Sequence, residues 1–116
     1  NNVWMGTSAE NQRRWDERLP ILLATPAVIH FVSAEPLLAP IDIGPHRPDW
    51  VITGGESGRQ PRPVKVTWVR DIRDQCTSNG IAFFHKQWGG RNKHAQGRVL
   101  DGRTWDEFPT PGLATT

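Results

Sequence analysis

Three glutamates and a lysine carry most of the chemistry this sequence offers. Glu10, Glu35 and Glu56 each follow a short apolar run, in Thr7-Ser8-Ala9-Glu10, Val32-Ser33-Ala34-Glu35-Pro36 and Gly54-Gly55-Glu56-Ser57-Gly58. Lys86 follows a fourth run, in His85-Lys86-Gln87-Trp88. A carboxylate set directly after a buried strand is costly to place without a partner. Brought to one face, three carboxylates and an ammonium could bind a cation, take a substrate amine or pass protons. On this reading Glu10, Glu35 and Lys86 are the catalytic candidates. Gly54, Gly55, Glu56 and Ser57 are the cofactor-binding candidates, because a Gly-Gly pair permits a tight turn and a close backbone approach to an anion.

Each of these residues also has a plainer use. Glu10 has the spacing to complete a capping box with Thr7. Glu35 precedes Pro36, which favours an extended residue before it, and so suits a loop. Lys86 could make an ordinary ion pair, and Trp88 could pack in a core. The four histidines have no metal-ligand spacing, and His30 reads as a core residue inside a strand. No metal site is assigned.

The elements that would position these residues are legible as continuous apolar or aromatic runs at Val3–Gly6, Val28–Val32, Trp50–Thr53 and Ile81–Phe84. Runs of this kind suit parallel strands covered on both faces. A helix is expected over Ala9–Ala24, with Trp15, Leu19, Leu22 and Leu23 at helical spacing and a kink or split at Pro20. A second is expected from Thr67, as N-cap, to Asn79, with Trp68, Val69, Ile72 and Cys76 on its stripe and Gly80 just beyond its end. Residues 35–49 hold four prolines and predict an irregular crossover. Arg98–Trp105 reads as a hairpin turning at Asp101-Gly102. The strand–helix repetition predicts an α/β fold, a partial β/α barrel of about four parallel strands with a C-terminal hairpin. The corresponding division is 1–90 for the partial barrel, 91–108 for the hairpin extension and 109–116 for a flexible tail. In such a fold all strand C-termini lie on one face, where ligands collect.

Composition sets further bounds. The 116 residues include 11 Gly and 10 Pro with only 36% hydrophobic residues, a loop-rich balance. The single cysteine, Cys76, excludes an internal disulfide and sits on a helical stripe, so it reads as a core thiol. No run approaches the ~20 apolar residues of a membrane helix. With no secretion signal, a cytoplasmic location is expected. Residues 1–58 hold four Lys/Arg against seven Asp/Glu, and residues 59–116 hold ten against five. The basic second half could meet phosphate groups, although scattered solvating charge explains it as well. The chain opens on Asn1-Asn2-Val3-Trp4 with no initiator Met and reads as a fragment.

At these same motifs the chain resembles a known family, the phage-associated, radical S-adenosylmethionine-like group of unknown function. The resemblance rests on residues 2–11, 31–38, 49–58, 83–89 and 100–107, five motifs in order that reach to about residue 109. It implies a partial β/α barrel whose N-terminal half, absent here, carries a cysteine cluster for an iron–sulfur centre. Glu10, Glu35, Glu56 and Lys86 match motif positions. S-adenosylmethionine and an iron–sulfur cluster are thus implied for the full-length parent, with no cofactor held by this chain alone. The expected function is that of a C-terminal piece of such an enzyme, contributing acidic site residues at strand ends. The alternative is a non-catalytic phage or prophage nucleic-acid-binding module, or a decayed remnant. The expected partners are the missing N-terminal half or a second copy through the exposed sheet edge, with nucleic acid possible and no membrane.

Overall fold

Four runs of β-branched and aromatic residues form strands and two amphipathic stretches form helices, in a computed structural model that describes residues 3–90 and 97–110. The order is β1 (Trp4–Ser8), α1 (Gln12–Ala24), β2 (Ile29–Ala34), β3 (Trp50–Gly54), α2 (Val66–Ser78) and β4 (Ala82–Gln87). All strands are parallel and lie in chain order, β1-β2-β3-β4. The expected α/β class and four-stranded parallel sheet are what the chain adopts. The arrangement is compatible with a partial barrel. No helix among the described residues is long and apolar enough to cross a membrane.

The two faces of the sheet differ. Val32, Ala34, Val51 and Phe83 point to one face and share a core with Trp15, Leu19 and Leu22 of α1 and Val69, Ile72 and Cys76 of α2. Both helices therefore cover the same face. Strand alternation sends Trp4, Phe31, Trp50, Ile52 and Phe84 to the opposite face, and none of these belongs to that core. There the rings pack on one another, with Trp50 within 6.2 Å, centroid to centroid, of Trp4, Phe31, Phe84 and Phe108.

The β2–β3 crossover is irregular, as its prolines predict, and it too lies on the helix-covered face. Its Leu37, Ile41 and Ile43 are buried in the core. Two glutamines supply the hydrogen bonds that a helix would have made internally. Gln12 Nε2 donates to the Asp42 carbonyl at 2.9 Å while Gln12 Oε1 accepts from the Asp42 N–H at 2.6 Å. Gln75 does the same from α2, donating to the Ile41 carbonyl at 2.8 Å and accepting from the Ile43 N–H at 2.7 Å. Buried backbone groups must find such partners.

Several local details depart from the expectations. The N-cap of α1 is Asn11, whose side chain accepts from the Arg14 N–H at 3.0 Å. Thr7 and Glu10 thus form no capping box, because Thr7 still belongs to β1. Pro20 is exposed and does not split α1, which runs on through it. The first helical residue of α2 is Val66, so Thr67 sits inside its first turn rather than at its cap. The hairpin reduces to one antiparallel bridge, Leu100 to Arg103, across Asp101 (φ 50) and Gly102 (φ 86). The chain then runs antiparallel along β4, where the His85 N–H donates to the Trp105 carbonyl at 2.9 Å and the Glu107 N–H to the Phe83 carbonyl at 3.1 Å. Residues 91–96 of the expected extension and 111–116 of the expected tail lie outside the described residues.

Phe83 and Phe84 are neighbours that report on the two faces separately. Phe83 is fully buried and Phe84 half-buried. Urea unfolding of Phe83→Ala is expected to show a loss of about 3–5 kcal/mol. Phe84→Ala should cost roughly half of that, since part of its ring already meets solvent. Equal losses would show that both faces are closed.

Candidate functional site

The C-terminal ends of the four strands define one edge of the sheet, and the candidate residues are spread along it. Glu35, just past β2, is the one that crosses to another strand. Its side chain lies over Gly54 at the end of β3, where a Cβ would come within 2.9 Å of the Glu35 carboxyl carbon. From there it reaches β4. Lys86 Nζ donates to Glu35 Oε1 at 3.5 Å, and Gln87 Nε2 donates to Glu35 Oε2 at 3.3 Å. Lys86 is largely exposed and Glu35 is not, so the ion pair sits at a rim. The peptide between Glu35 and Pro36 is cis.

Glu10 and Glu56 are each held nearer home. Glu10 Oε1 accepts from Arg18 of α1 at 3.5 Å, and the same Arg18 nitrogen donates to the Ser8 carbonyl at 2.7 Å. Glu56 takes a fork from Arg62, at 2.9 and 2.6 Å, together with the Arg62 backbone N–H at 2.8 Å. These bonds, the side-chain ones first, hold the Glu56 carboxyl well below its usual range, at about 2. Crowded carboxylates are expected to raise one another; at Glu56 the arginine fork wins. Arg62 is raised chiefly by Glu56 and more weakly by Glu10, which places Glu10 within electrostatic reach of the β3 loop.

The glycines of the β3 loop serve the packing of the chain on itself. A Cβ on Gly55 would lie 1.9 Å from the Trp88 carbonyl oxygen. Gly89 returns the contact, since a Cβ there would lie 2.4 Å from the Glu56 carbonyl oxygen. The two loops are tied by Gly55 N–H to the Gln87 carbonyl at 2.9 Å and Gly90 N–H to the Glu56 carbonyl at 2.9 Å. Gly54 and Gly55 thus admit Glu35 and the Trp88 backbone. Ser57 is exposed beyond them.

On the helix-covered face β4 carries two polar side chains that the sequence reading passed over. His85 is fully buried, with Nδ1 at 2.9 Å from Thr53 Oγ1 and its ring centroid 4.3 Å from that of Trp88. Burial first, and then the charge of Arg98, pushes His85 down to about 4. Gln87 is also buried, and its amide nitrogen donates both to Glu35 and to the Gly55 carbonyl, the latter at 2.9 Å. Alternation along β4 was the available signal: His85 and Gln87 share the parity of Phe83.

Cys76 is a core thiol, as its place on the stripe predicts. It is fully buried, and burial pushes it up to about 12. Among the described residues no group of three or more His, Cys, Asp or Glu converges as metal ligands. A depression of about 870 Å³ opens at the other end of the sheet, beside Arg47, Asp49 and Ala82. The polar groups of Glu35, Lys86 and Gln87 converge at the opposite end. The strand ends are the better candidate, because ligands of parallel α/β sheets bind outside the carboxyl ends of the strands.

Fold and site together define a parallel α/β protein with its helices on one face and a Glu–Lys–Gln arrangement at its strand ends. Residues 1–109 match the family described as protein of unknown function (DUF5131), and the chain belongs to it. Comparison with curated proteins and with solved structures finds no match.

His85 makes stability depend on pH in a defined window. Its folded value lies below the ordinary 6.5, so the unfolded chain takes up the proton first. The stability contributed by neutral His85 is complete above about pH 6.5 and is lost as pH falls toward 4. The difference in unfolding free energy between the wild type and His85→Phe should shrink by up to about 3 kcal/mol across that window. Urea unfolding at stepped pH measures it. Glu56 and Asp101, both held at about 2 by arginines, lose their contributions only below about pH 4.5. Parallel curves between pH 6.5 and 4.5 would show that His85 titrates alike in both states.

Proposed function

We propose that this chain supplies the substrate and cofactor end of a phage-associated, radical S-adenosylmethionine-like enzyme, with Glu35 and Lys86 at the centre of the site. The observation that carries the reading is Glu35 lying across Gly54 to meet Lys86 and Gln87 at the strand ends. A carboxylate and an ammonium held side by side at a half-exposed rim match the two charges of an amino-acid group, ammonium to Glu35 and carboxylate to Lys86. The open face below them offers Phe31, Trp50 and Phe84 to an apolar or planar part. Glu10 and Glu56 flank the rim as charged neighbours already held by arginines. The resemblance read from the sequence rests on motifs that include these same residues.

The residues fit the two implied groups unequally. An iron–sulfur cluster needs several thiolates, and the one cysteine is buried in the core with its thiol pushed up. This chain alone does not fit a cluster. The Glu35–Lys86 pair does fit the amino-acid end of S-adenosylmethionine. When bound, S-adenosylmethionine supplies sulfonium-activated carbon–sulfur bonds. Glu35 and Lys86 would orient the ligand, Gln87 would hold Glu35 from the core side, and the aromatic face would exclude water. The nucleic-acid alternative finds less support, because the basic half spends much of its charge internally. Arg62 pairs with Glu56, Arg70 and Arg73 with Asp101, and Arg98 with Asp106.

Titration of S-adenosylmethionine into the isotope-labelled chain should move the amide signals of Glu35, Gly54–Ser57 and Lys86. Glu35→Gln should weaken that response about tenfold, the loss of one charge-assisted pair. Its folding stability should stay within about 1 kcal/mol of wild type, because the Lys86 pair is exposed. Unmoved strand-end signals, with DNA binding that falls steeply with salt, would overturn the reading in favour of a nucleic-acid module.

Anaerobic reconstitution of the chain alone with iron and sulfide should give no stoichiometric cluster and no cofactor cleavage. Absorbance and a cleavage assay decide it. A stoichiometric, active cluster would require ligands other than several thiolates.

A further inference from the structure

Among the described residues, two buried side-chain atoms have no hydrogen-bond partner: His85 Nε2 and Gln87 Oε1. Buried polar atoms left in this state are few in native proteins, and each calls for a cause. The two stand two residues apart on the same face of β4, with backbones separated by about 6.6 Å along the strand. Their chemistry is complementary. Gln87 Nε2 faces the Glu35 carboxylate at 3.3 Å and the Gly55 carbonyl at 2.9 Å, both of them acceptors. Reversing the amide would set oxygen against oxygen twice, so its orientation is fixed and Oε1 remains an acceptor in need of a donor. Thr53 Oγ1 lies 2.9 Å from His85 Nδ1. If the hydroxyl donates there, the neutral ring carries its proton on Nε2 and is the donor that Gln87 lacks.

We propose that Thr53, His85 and Gln87 are positioning residues for Glu35, joined by one water bound between His85 Nε2 and Gln87 Oε1. That water accepts from the imidazole N–H and donates to the amide oxygen, a span of up to about 5.6 Å at ordinary hydrogen-bond lengths. The chain Thr53–His85–water–Gln87–Glu35 then fixes the rim carboxylate from inside the core. The value of fixing Glu35 rests on the strand-end reading above. The hydrogen-bonded chain itself needs no ligand, so the two stand or fall by separate measurements.

The test uses the unliganded chain at pH 6.5–8, where His85 is neutral. Nitrogen-15 correlation spectra should show the proton on Nε2 and a bare Nδ1, and a cross-relaxation signal should connect the Nε2 proton to a long-lived water. The exchange rate of the Gln87 side-chain amide protons is then compared with that in Thr53→Val and His85→Phe. Each variant should speed it about tenfold or more, while the backbone amides of α2 keep their protection. Thr53→Val keeps a β-branched side chain of similar size in the strand, so it serves should His85→Phe fail to fold. A proton on Nδ1, a direct His85–Gln87 hydrogen bond without water, or Gln87 exchange unchanged in Thr53→Val would overturn the proposal.

Discussion

Neighbouring parallel strands cannot be joined by a tight turn; the chain must travel back along the sheet before each new strand begins. That return is right-handed in nearly all proteins. When the strands also lie in chain order, as here, every return passes over the same face. The consequence reaches every other feature of the structure. Helices α1 and α2 and the irregular β2–β3 crossover share one core, and among the described residues no helix covers the opposite face. The second crossover follows the rule even without helical structure. Gln12 and Gln75 hold its backbone against the two helices by paired amide bonds.

The same geometry brings the strand ends together and decides how each charge there is met. Glu10 and Glu56 take arginines from nearby in the chain, Arg18 and Arg62. Such exposed pairs settle orientation more than stability. Glu35 differs because its partners stand on β4, two strands away. It can reach them only because Gly54 lacks a side chain. The Gly55–Trp88 and Gly89–Glu56 contacts hold the β3 and β4 ends at a fixed separation, and any side chain at either glycine would push them apart. The glycines that suggested a cradle for a ligand thus also set where Glu35 lies.

How much of this was legible follows from what marks a strand in sequence. The four apolar runs located all four strands, and helical spacing found both helices, because burial demands those periods. The ends were harder to read. β2 continues through Ser33-Ala34, and β4 through His85-Lys86-Gln87, where the apolar run has stopped but the ladder has not. Those polar extensions are the segments that carry Lys86 and the buried His85 and Gln87. Helix starts failed for a related reason: Asn11 and Thr7 both offer a capping oxygen, and pairing of Thr7 with Val32 in the sheet decides between them. Arg18 and Arg62 could not be matched to their glutamates without knowing how α1 and the β3 loop pack. Cys76 was readable because a thiol on an apolar stripe has one cheap environment, the core.

The open face poses the remaining physical question, how a sheet keeps a row of aromatic side chains partly in water. Strand register sets them in layers. Phe31 and Trp50 are direct partners, with the Phe31 ring over Gly6, and Ser33, Ile52 and Phe84 form the next layer toward the strand ends. Trp50 lies at the centre of the rings, and its indole N–H donates to the Glu107 carbonyl at 2.9 Å. Edge-on and tilted ring contacts each contribute about 0.5–1.5 kcal/mol beyond area burial. Aromatics can thus hold one another where aliphatic side chains would be left to solvent. Beyond the second layer comes the charged pair of Glu35 and Lys86. Polarity therefore rises along the face from indole and phenyl, through hydroxyl, to carboxylate and ammonium. On the strand-end reading proposed above, a ligand would place its apolar part toward Trp50 and its charged part at the rim, an orientation set by the register of the sheet before any residue moves.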